Sequence, residues 1–417
     1  MTAGMGQAHK RSEQKTRRGL LCTLAMVGAW TIGAAGIAPA AVAADVQSKQ
    51  WYLDAMHVED MWKFATGNGI KVAVVDGGVN PSTPSLKGQV SPGVDAAGIS
   101  GDETDDRDGH GTTMAELIAG TGKGGGLRGL APGAKIIPIR TLTAEMQKKE
   151  APDRLHTVDK AIRAAADSDA KVINLSLGQD GWDDDTKAAV KYAANKGKLM
   201  FASVGNEAEE LNYVDYPAAY PDVVGVAAAD SDGNVGKFSE HGNDVDLAAP
   251  GLSIPSWCDE SFQKYCDAQG TSQASAIASA SAALVWSAHP DWTANQVLRA
   301  LFDTAGRDWK DGTRSNYLGH GLIRPREIIV NGKGKPGDPN ISPLTNEKTS
   351  GSSSSTDPSA STSSQGSKDK VSDDTVAASP SEKTDDNGQL GVILGGAAAA
   401  VVLAVMAFAV VRKRRSA

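Results

Sequence analysis

Four residues of this 417-residue chain have the types that acyl transfer requires, and each falls at a turn or an element boundary. Ser272 stands in Gly270-Thr271-Ser272, a turn that opens into the uncharged, small and apolar run Ala274 to Trp286. A helix that is apolar on every side must be buried in a large domain. A serine at its N-terminus meets free backbone N–H groups and the positive end of the helix dipole, which favour a developing negative charge. Alone, such a serine reads as a hydroxyl cap. As a nucleophile it needs a base, an orienting acid and an oxyanion donor elsewhere in the chain.

His110 is the candidate base. It opens a helix of small and apolar residues in Asp108-Gly109-His110-Gly111-Thr112-Thr113-Met114-Ala115-Glu116, with a glycine on each side. A neutral imidazole there can take a hydroxyl proton and return it to a leaving amine. Asp76 directly follows Lys71 to Val75 and precedes Gly77-Gly78, so it can orient the histidine or cap a turn. Asn206 ends Phe201 to Gly205, where its amide can donate to a tetrahedral oxyanion or serve a left-handed turn. His9, His57, His156, His241 and His289 read as surface or loop residues, and no helix follows His320. The four together, in the order Asp, His, Asn, Ser, point to a triad of Asp76, His110 and Ser272 with Asn206 as oxyanion donor.

These residues need elements to hold them. Ile70 to Val75, Ile136 to Ile139, Val172 to Leu175, Leu199 to Ser203 and Val223 to Ala227 read as buried strands. Arg154 to Asp167, Asp184 to Gly197 and Thr293 to Thr304 read as helices. Strands alternating with helices predict an α/β domain, with a mostly parallel central sheet covered by helices on both faces. In such sheets functional groups collect beyond the carboxyl ends of the strands. The domain is expected over residues 44–330, long enough to bury a single core.

The flanks differ in character. Residues 1–43 carry a basic start, an apolar run from Gly19 to Ala35 and the small-residue site Ala41-Val42-Ala43, the pattern of a secretory signal peptide. Arg17-Arg18 leaves the general and the twin-arginine export routes both open. Residues 331–388 are rich in Ser, Asp, Gly and Pro and read as a disordered linker. Residues 389–411 include the uncharged stretch Gly391 to Val411, long enough to cross a bilayer as a helix. The basic tail 412–417 then puts the C-terminus in the cytoplasm and the globular domain outside. The formal net charge is −8, but with the terminal basic clusters set aside residues 45–411 hold 33 basic and 49 acidic residues. An acidic body argues against a nucleic-acid partner. Cys22 lies in the targeting segment, whereas Cys258 and Cys266 close a short loop and suit an extracellular disulfide.

Between residues 51 and 330 the chain resembles the subtilisin-family (subtilase) serine proteases. The catalytic segments carry the resemblance, together with Gly129 to Ala134, Val172 to Gly178 and Asp246 to Gly251. It implies the triad and oxyanion donor named above. It also implies that Ser176, Leu177 and Gly178 pair with an extended substrate by strand addition. Two positions depart from the family pattern: Ala276 stands where a proline is usual, and Glu116 replaces a glycine in the histidine helix. Signal peptide, peptidase domain, polar linker and one C-terminal anchor together resemble the mycosins, membrane-anchored proteases associated with type VII secretion in actinobacteria.

The resemblance implies catalysis without a cofactor, with structural calcium a possibility. Asp102, Glu103, Asp105, Asp106 and Asp108 form the one acidic run suited to it, but their spacing matches no EF-hand and a solvated loop is the simpler reading. Gly124-Gly125-Gly126 lacks a phosphate-loop pattern and reads as a loop bordering a peptide groove. The expected function is that of an extracellular, membrane-tethered endopeptidase acting on secreted proteins or peptides. The alternative is a scaffold that stabilises a membrane secretion complex, with catalysis secondary.

Overall fold

The computed structural model describes residues 46–349, apart from 152–156, 180 and 311. The signal peptide expected at 1–43, the transmembrane stretch expected at 389–411 and the basic tail lie outside the described residues. Among the described residues no helix is long and apolar enough to cross a membrane.

In chain order the elements are α1 (Trp51–Ala55), α2 (Val58–Met61), β1 (Lys71–Asp76), β2 (Val94–Asp95), α3 (His110–Ala119), β3 (Lys135–Arg140), α4 (Ala144–Glu150) and α5 (Val158–Asp167). There follow β4 (Val172–Leu175), α6 (Asp184–Asn195), β5 (Leu199–Ser203), β6 (Val224–Ala229), β7 (Leu247–Pro250), β8 (Ile254–Trp257) and β9 (Tyr265–Ala268). The last are α7 (Thr271–Ala288), α8 (Ala294–Thr304) and α9 (Pro325–Ile329). Seven strands form one sheet in the order β2-β3-β1-β4-β5-β6-β7, every pairing parallel.

The strand residues explain the layering. Side chains alternate faces along a strand, and in β1 Val72 and Val74 join one apolar cluster while Ala73 and Val75 join another. The first cluster holds Met114, Leu117 and Ile118 of α3 with most of α7. The second holds Ala161, Ile162 and Ala165 of α5 with Ala189, Val190 and Ala193 of α6. A sheet covered on both faces has no polar side, which is why its strands read as continuous apolar runs. The expected α/β class is the one observed.

Helix α7 runs through the first cluster with Gln273 to Trp286 buried throughout, as its uncharged sequence requires. Its N-cap is Gly270, which makes no side-chain capping bond, so Ser272 is the second helical residue and not the cap. Ala276 is fully buried, and the helix begins at Thr271 without a proline.

Two departures from expectation concern loops. Residues 254–268 form an antiparallel hairpin, β8–β9, closed by the Cys258–Cys266 disulfide. The domain also continues past residue 330. Thr293 Oγ1 and Asn295 Nδ2 donate to the Pro339 carbonyl at 3.0 and 2.9 Å, and Arg299 Nη2 donates to Ile341 O at 2.8 Å. Ile341 and Lys348 form an antiparallel bridge. The linker boundary at 331 is therefore too early, because polar side chains of α8 and its cap pin this stretch by its backbone carbonyls. Such anchoring needs no apolar residue, so composition did not reveal it. The remainder of the linker lies outside the described residues.

Candidate active site

All strands of the sheet run the same way, so their carboxyl ends share one edge, and the candidate residues collect there. Asp76 ends β1 and is 3 % exposed. His110 opens α3, and its Nδ1 lies 3.0 and 2.9 Å from Asp76 Oδ1 and Oδ2. Gly111 permits this approach: a Cβ there would lie 2.1 Å from the Gly78 carbonyl and 3.0 Å from Asp76 Cβ. Asp76 Oδ1 also accepts from the Gly77 N–H at 2.8 Å, which fixes the carboxylate.

The acidic run before α3 does capping work. Asp106 accepts from the N–H groups of Gly109 and Thr112 at 2.9 and 2.7 Å, and Asp108 accepts from the His110 N–H at 2.8 Å. Asp102 accepts from Thr104, and Asp105 accepts from the Asp102 N–H. Asp106 and Asp108 thus satisfy N–H groups at the start of the helix that carries His110, whereas Asp102 and Asp105 bond within the loop. They do not fit a calcium site, and among the described residues no group of three or more His, Cys, Asp or Glu could hold a metal ion.

Burial opposes a charge on His110, but the charge and hydrogen bond of Asp76, reinforced by Asp108 and Asp106, lift its pKa from 6.5 to about 9. Its side chain is 35 % exposed, so solvent screens part of that field.

Ser272 and Asn206 approach from the other side. Thr271 donates through both N–H and Oγ1 to Asn206 Oδ1, at 2.9 and 3.1 Å. A backbone N–H can only donate, so the amide orientation follows, and Nδ2 is left as the side chain's donor. Ser272 Oγ donates to the Ser176 carbonyl at 3.4 Å, while Ser176 Oγ donates to the Ser272 carbonyl at 3.0 Å. Ser272 Oγ thus bonds to a backbone carbonyl and not to His110, whose ring bonds to Asp76. Ser176 to Gly178 continue directly from β4, and Gly178 is exposed.

Some supporting residues were given no role by the sequence. Asn174 Oδ1 accepts from Ser275 and Ser279 of α7, each at 3.2 Å, and its Nδ2 donates to Ser176 Oγ at 2.8 Å. This buried chain of hydrogen bonds ties α7 to the strand beside Ser272. Its signal was the serines at 275 and 279, one helical turn apart in an otherwise apolar helix. Glu116 is fully buried, and it accepts from Thr83 Oγ1 and Tyr265 OH at 2.7 Å each. Desolvation raises its pKa to about 7 despite those bonds. The departure from the family glycine therefore joins the histidine helix to the disulfide hairpin, and the Trp257 N–H adds a bond to Thr113 Oγ1 at 3.0 Å. Gly124 to Gly126 border a cleft of about 800 Å³ along the same hairpin.

Comparison with known proteins agrees with this architecture. The subtilase family model matches residues 67–321. Thermitase of Thermoactinomyces vulgaris is 34 % identical over 68 % of this chain and 96 % of its own length. Subtilisin BL of Lederbergia lenta is 32 % identical over 62 % of the chain and 90 % of its own length. Among solved structures, MycP1 from Mycobacterium smegmatis matches with a TM-score of 0.59 at 28 % identity, covering 69 % of this chain and 86 % of that one. MycP3 protease from a type VII (ESX-3) secretion system matches with a TM-score of 0.55 at 30 % identity, covering 67 % of this chain and 87 % of that one. On this sheet, this order of elements and these relatives, the chain belongs to the subtilase family and is a subtilisin-like serine endopeptidase.

Proposed function

We propose that the reaction is carried by Asp76, His110 and Ser272, with Asn206 stabilising the oxyanion. The observation that carries this reading is the Asp76–His110 bond. A carboxylate bound at Nδ1 fixes the tautomer in which Nε2 is free to accept a proton. His110 then takes the Ser272 proton as Oγ attacks the peptide carbonyl. The tetrahedral oxyanion lies against Asn206 Nδ2 and the N-terminus of α7. The imidazolium protonates the leaving amine, and water releases the acyl-enzyme by the same steps in reverse order. Ser176, Leu177 and Gly178 hold the substrate as an added strand. A fluorophosphonate probe should label the protein at Ser272, and Ser272→Ala should abolish labelling. Labelling that survives the substitution would reject the assignment.

The sequence flanks support placing this domain outside the cell, delivered by residues 1–43 and held by a transmembrane helix at 389–411 with Arg412 to Arg415 in the cytoplasm. The similarity to MycP1 and MycP3 supports a link to type VII secretion, with secreted proteins as substrates. One structurally similar MycP1 is an essential component of the type VII (ESX-1) secretion system, which supports the link to secretion; the second reading is a structural role beside the chemistry. Secretion should then survive Ser272→Ala but fail in a deletion strain. Equal failure in both would assign the whole requirement to catalysis.

A further inference from the structure

Arg140 ends β3, and its Cα is the register partner of Asp76 at the end of β1. Its side chain is wholly buried. A guanidinium does not shed its proton, so one buried this deeply must be answered by fixed acceptors. Nη1 lies 3.4 Å from Asp95 Oδ1, and Nη2 donates to the Ser100 carbonyl at 3.1 Å. A Cβ on Gly101 would lie 2.9 Å from Arg140 Nη1 and 2.3 Å from Asp105 Oδ2, so guanidinium and carboxylate flank the same glycine. Bonds from Thr104 lower the Asp102 pKa, and the Arg140 charge lowers it further. Asp95, Asp102 and Asp105 thus share one internal cation.

The loop that carries these acids also sets the geometry between two candidate catalytic residues. The Glu103 carbonyl accepts from the Val79 N–H at 3.0 Å, and a Cβ on Gly78 would lie 2.4 Å from the Asp105 carbonyl. The loop therefore lies directly on the backbone that follows Asp76. Its next residue, Asp106, holds N–H groups at the start of α3, which carries His110. The residue after Arg140 reaches Asp76 as well, since the Thr141 N–H donates to the Asp76 carbonyl at 2.8 Å. Strand β2, with two residue pairs to β3, is too short to fix the loop by its own ladder.

We propose that Arg140 is a positioning residue, whose buried charge holds the 95–105 loop against Gly78 and so keeps His110 within bonding distance of Asp76. The inference rests on the reading of Asp76 and His110 as catalytic partners. Without the cation, Asp95, Asp102 and Asp105 repel one another, the loop lifts from Gly78, and the start of α3 moves with it.

Arg140→Met in the full-length protein tests this, with rates taken per active site counted by a fluorophosphonate so that unfolded molecules drop out. It should lower kcat by about tenfold or more with KM little changed, since small misplacements of a reacting group are costly. The pH profile separates positioning from charge. Loss of a nearby cation by itself raises the pKa of an imidazole, whereas loss of the Asp76 bond lowers it. The ascending limb of kcat/KM should therefore move down toward 6.5 in Arg140→Met. It should return in Arg140→Lys, which restores the charge without the planar fork. Gly101→Ala drives a methyl between Arg140 and Asp105 with every charge in place, and it should give the same downward shift. That variant decides the matter where Arg140→Met yields too little folded protein. A limb that stays or rises in either variant would overturn the proposal while leaving the protease reading intact. An unaltered protein that the fluorophosphonate does not label would instead sink the catalytic reading, and the positioning role with it.

Discussion

Ser272 sits at the second position of a buried helix, where the backbone supplies positive potential and the neighbouring Asn206 is locked by Thr271. Removal of the Asn206 amide should therefore cost transition-state stabilisation with little effect on ground-state binding. Asn206→Ala is expected to lower kcat by about 10²–10³-fold with KM nearly unchanged. A KM effect alone would mean that Asn206 merely shapes the groove. For His110 the sign is set by Asp76, which favours the protonated imidazole and so makes it a weaker base at neutral pH. The ascending limb of kcat/KM against pH should have an apparent pKa above the ordinary 6.5 and no higher than about 9. A limb at or below 6.5 would show that the carboxylate does not act on the imidazole in this way.

At the scale of elements, α3 and α7 carry the proposed base and nucleophile, and the β8–β9 hairpin touches both. Tyr265 and Trp257 bond to Glu116 and Thr113 of α3, and β9 leads directly into Gly270 at the start of α7. The Cys258–Cys266 bond closes this hairpin. Replacing both cysteines by serine should cost roughly 2–3 kcal/mol of stability on chain-entropy grounds. Proteolytic activity should fall in parallel, since the loosened hairpin abuts both catalytic helices. Full activity in the reduced protein would show the hairpin to be irrelevant to the site. The Asn174 chain acts similarly from the sheet side, since losing one partner would leave buried serines unsatisfied.

Across the whole domain most strongly shifted groups share one sign; His320, which burial and the neighbouring Arg314 and Arg307 lower to about 4, is the exception. Burial raises Glu116 and Asp246 to about 7 and Glu240 to about 8, so each opposes folding increasingly as pH rises from the ordinary carboxyl range up to those values. The raised pKa of His110 stabilises the fold fully below its unfolded value of 6.5, and that gain is lost as pH rises to about 9. In these four groups the folded state binds more protons than the unfolded one, and together they outweigh the opposite contribution of His320 below about pH 6.5, so stability falls with pH across this window. The thermal midpoint of the ectodomain should drop between about pH 5 and about pH 9 while kcat/KM rises. A midpoint that climbs over that range would contradict the buried carboxyl assignments.

The parallel sheet and its central strands were legible because doubly covered strands must be apolar throughout, which leaves a contiguous mark. Asp76, His110, Asn206 and Ser272, the proposed site residues, were singled out because each stands at a turn between such runs. The same logic missed β8 and β9, which Pro255, Asp267 and Lys264 disguise and which pairing with each other stabilises. It also placed the domain end at residue 330, where polar anchoring onto α8 carries the chain further. Sequence alone thus determined the layered fold, the family and the order of the reactive groups, because these depend on local periodicity and on residue type. The Asp76–His110 contact, the Asn174 chain, the use of the acidic run as a helix cap and the burial of Arg140 against the 95–105 loop were decided only by tertiary structure. Each joins residues far apart in the chain, and which side chains meet there depends on how the strand ends and loops pack.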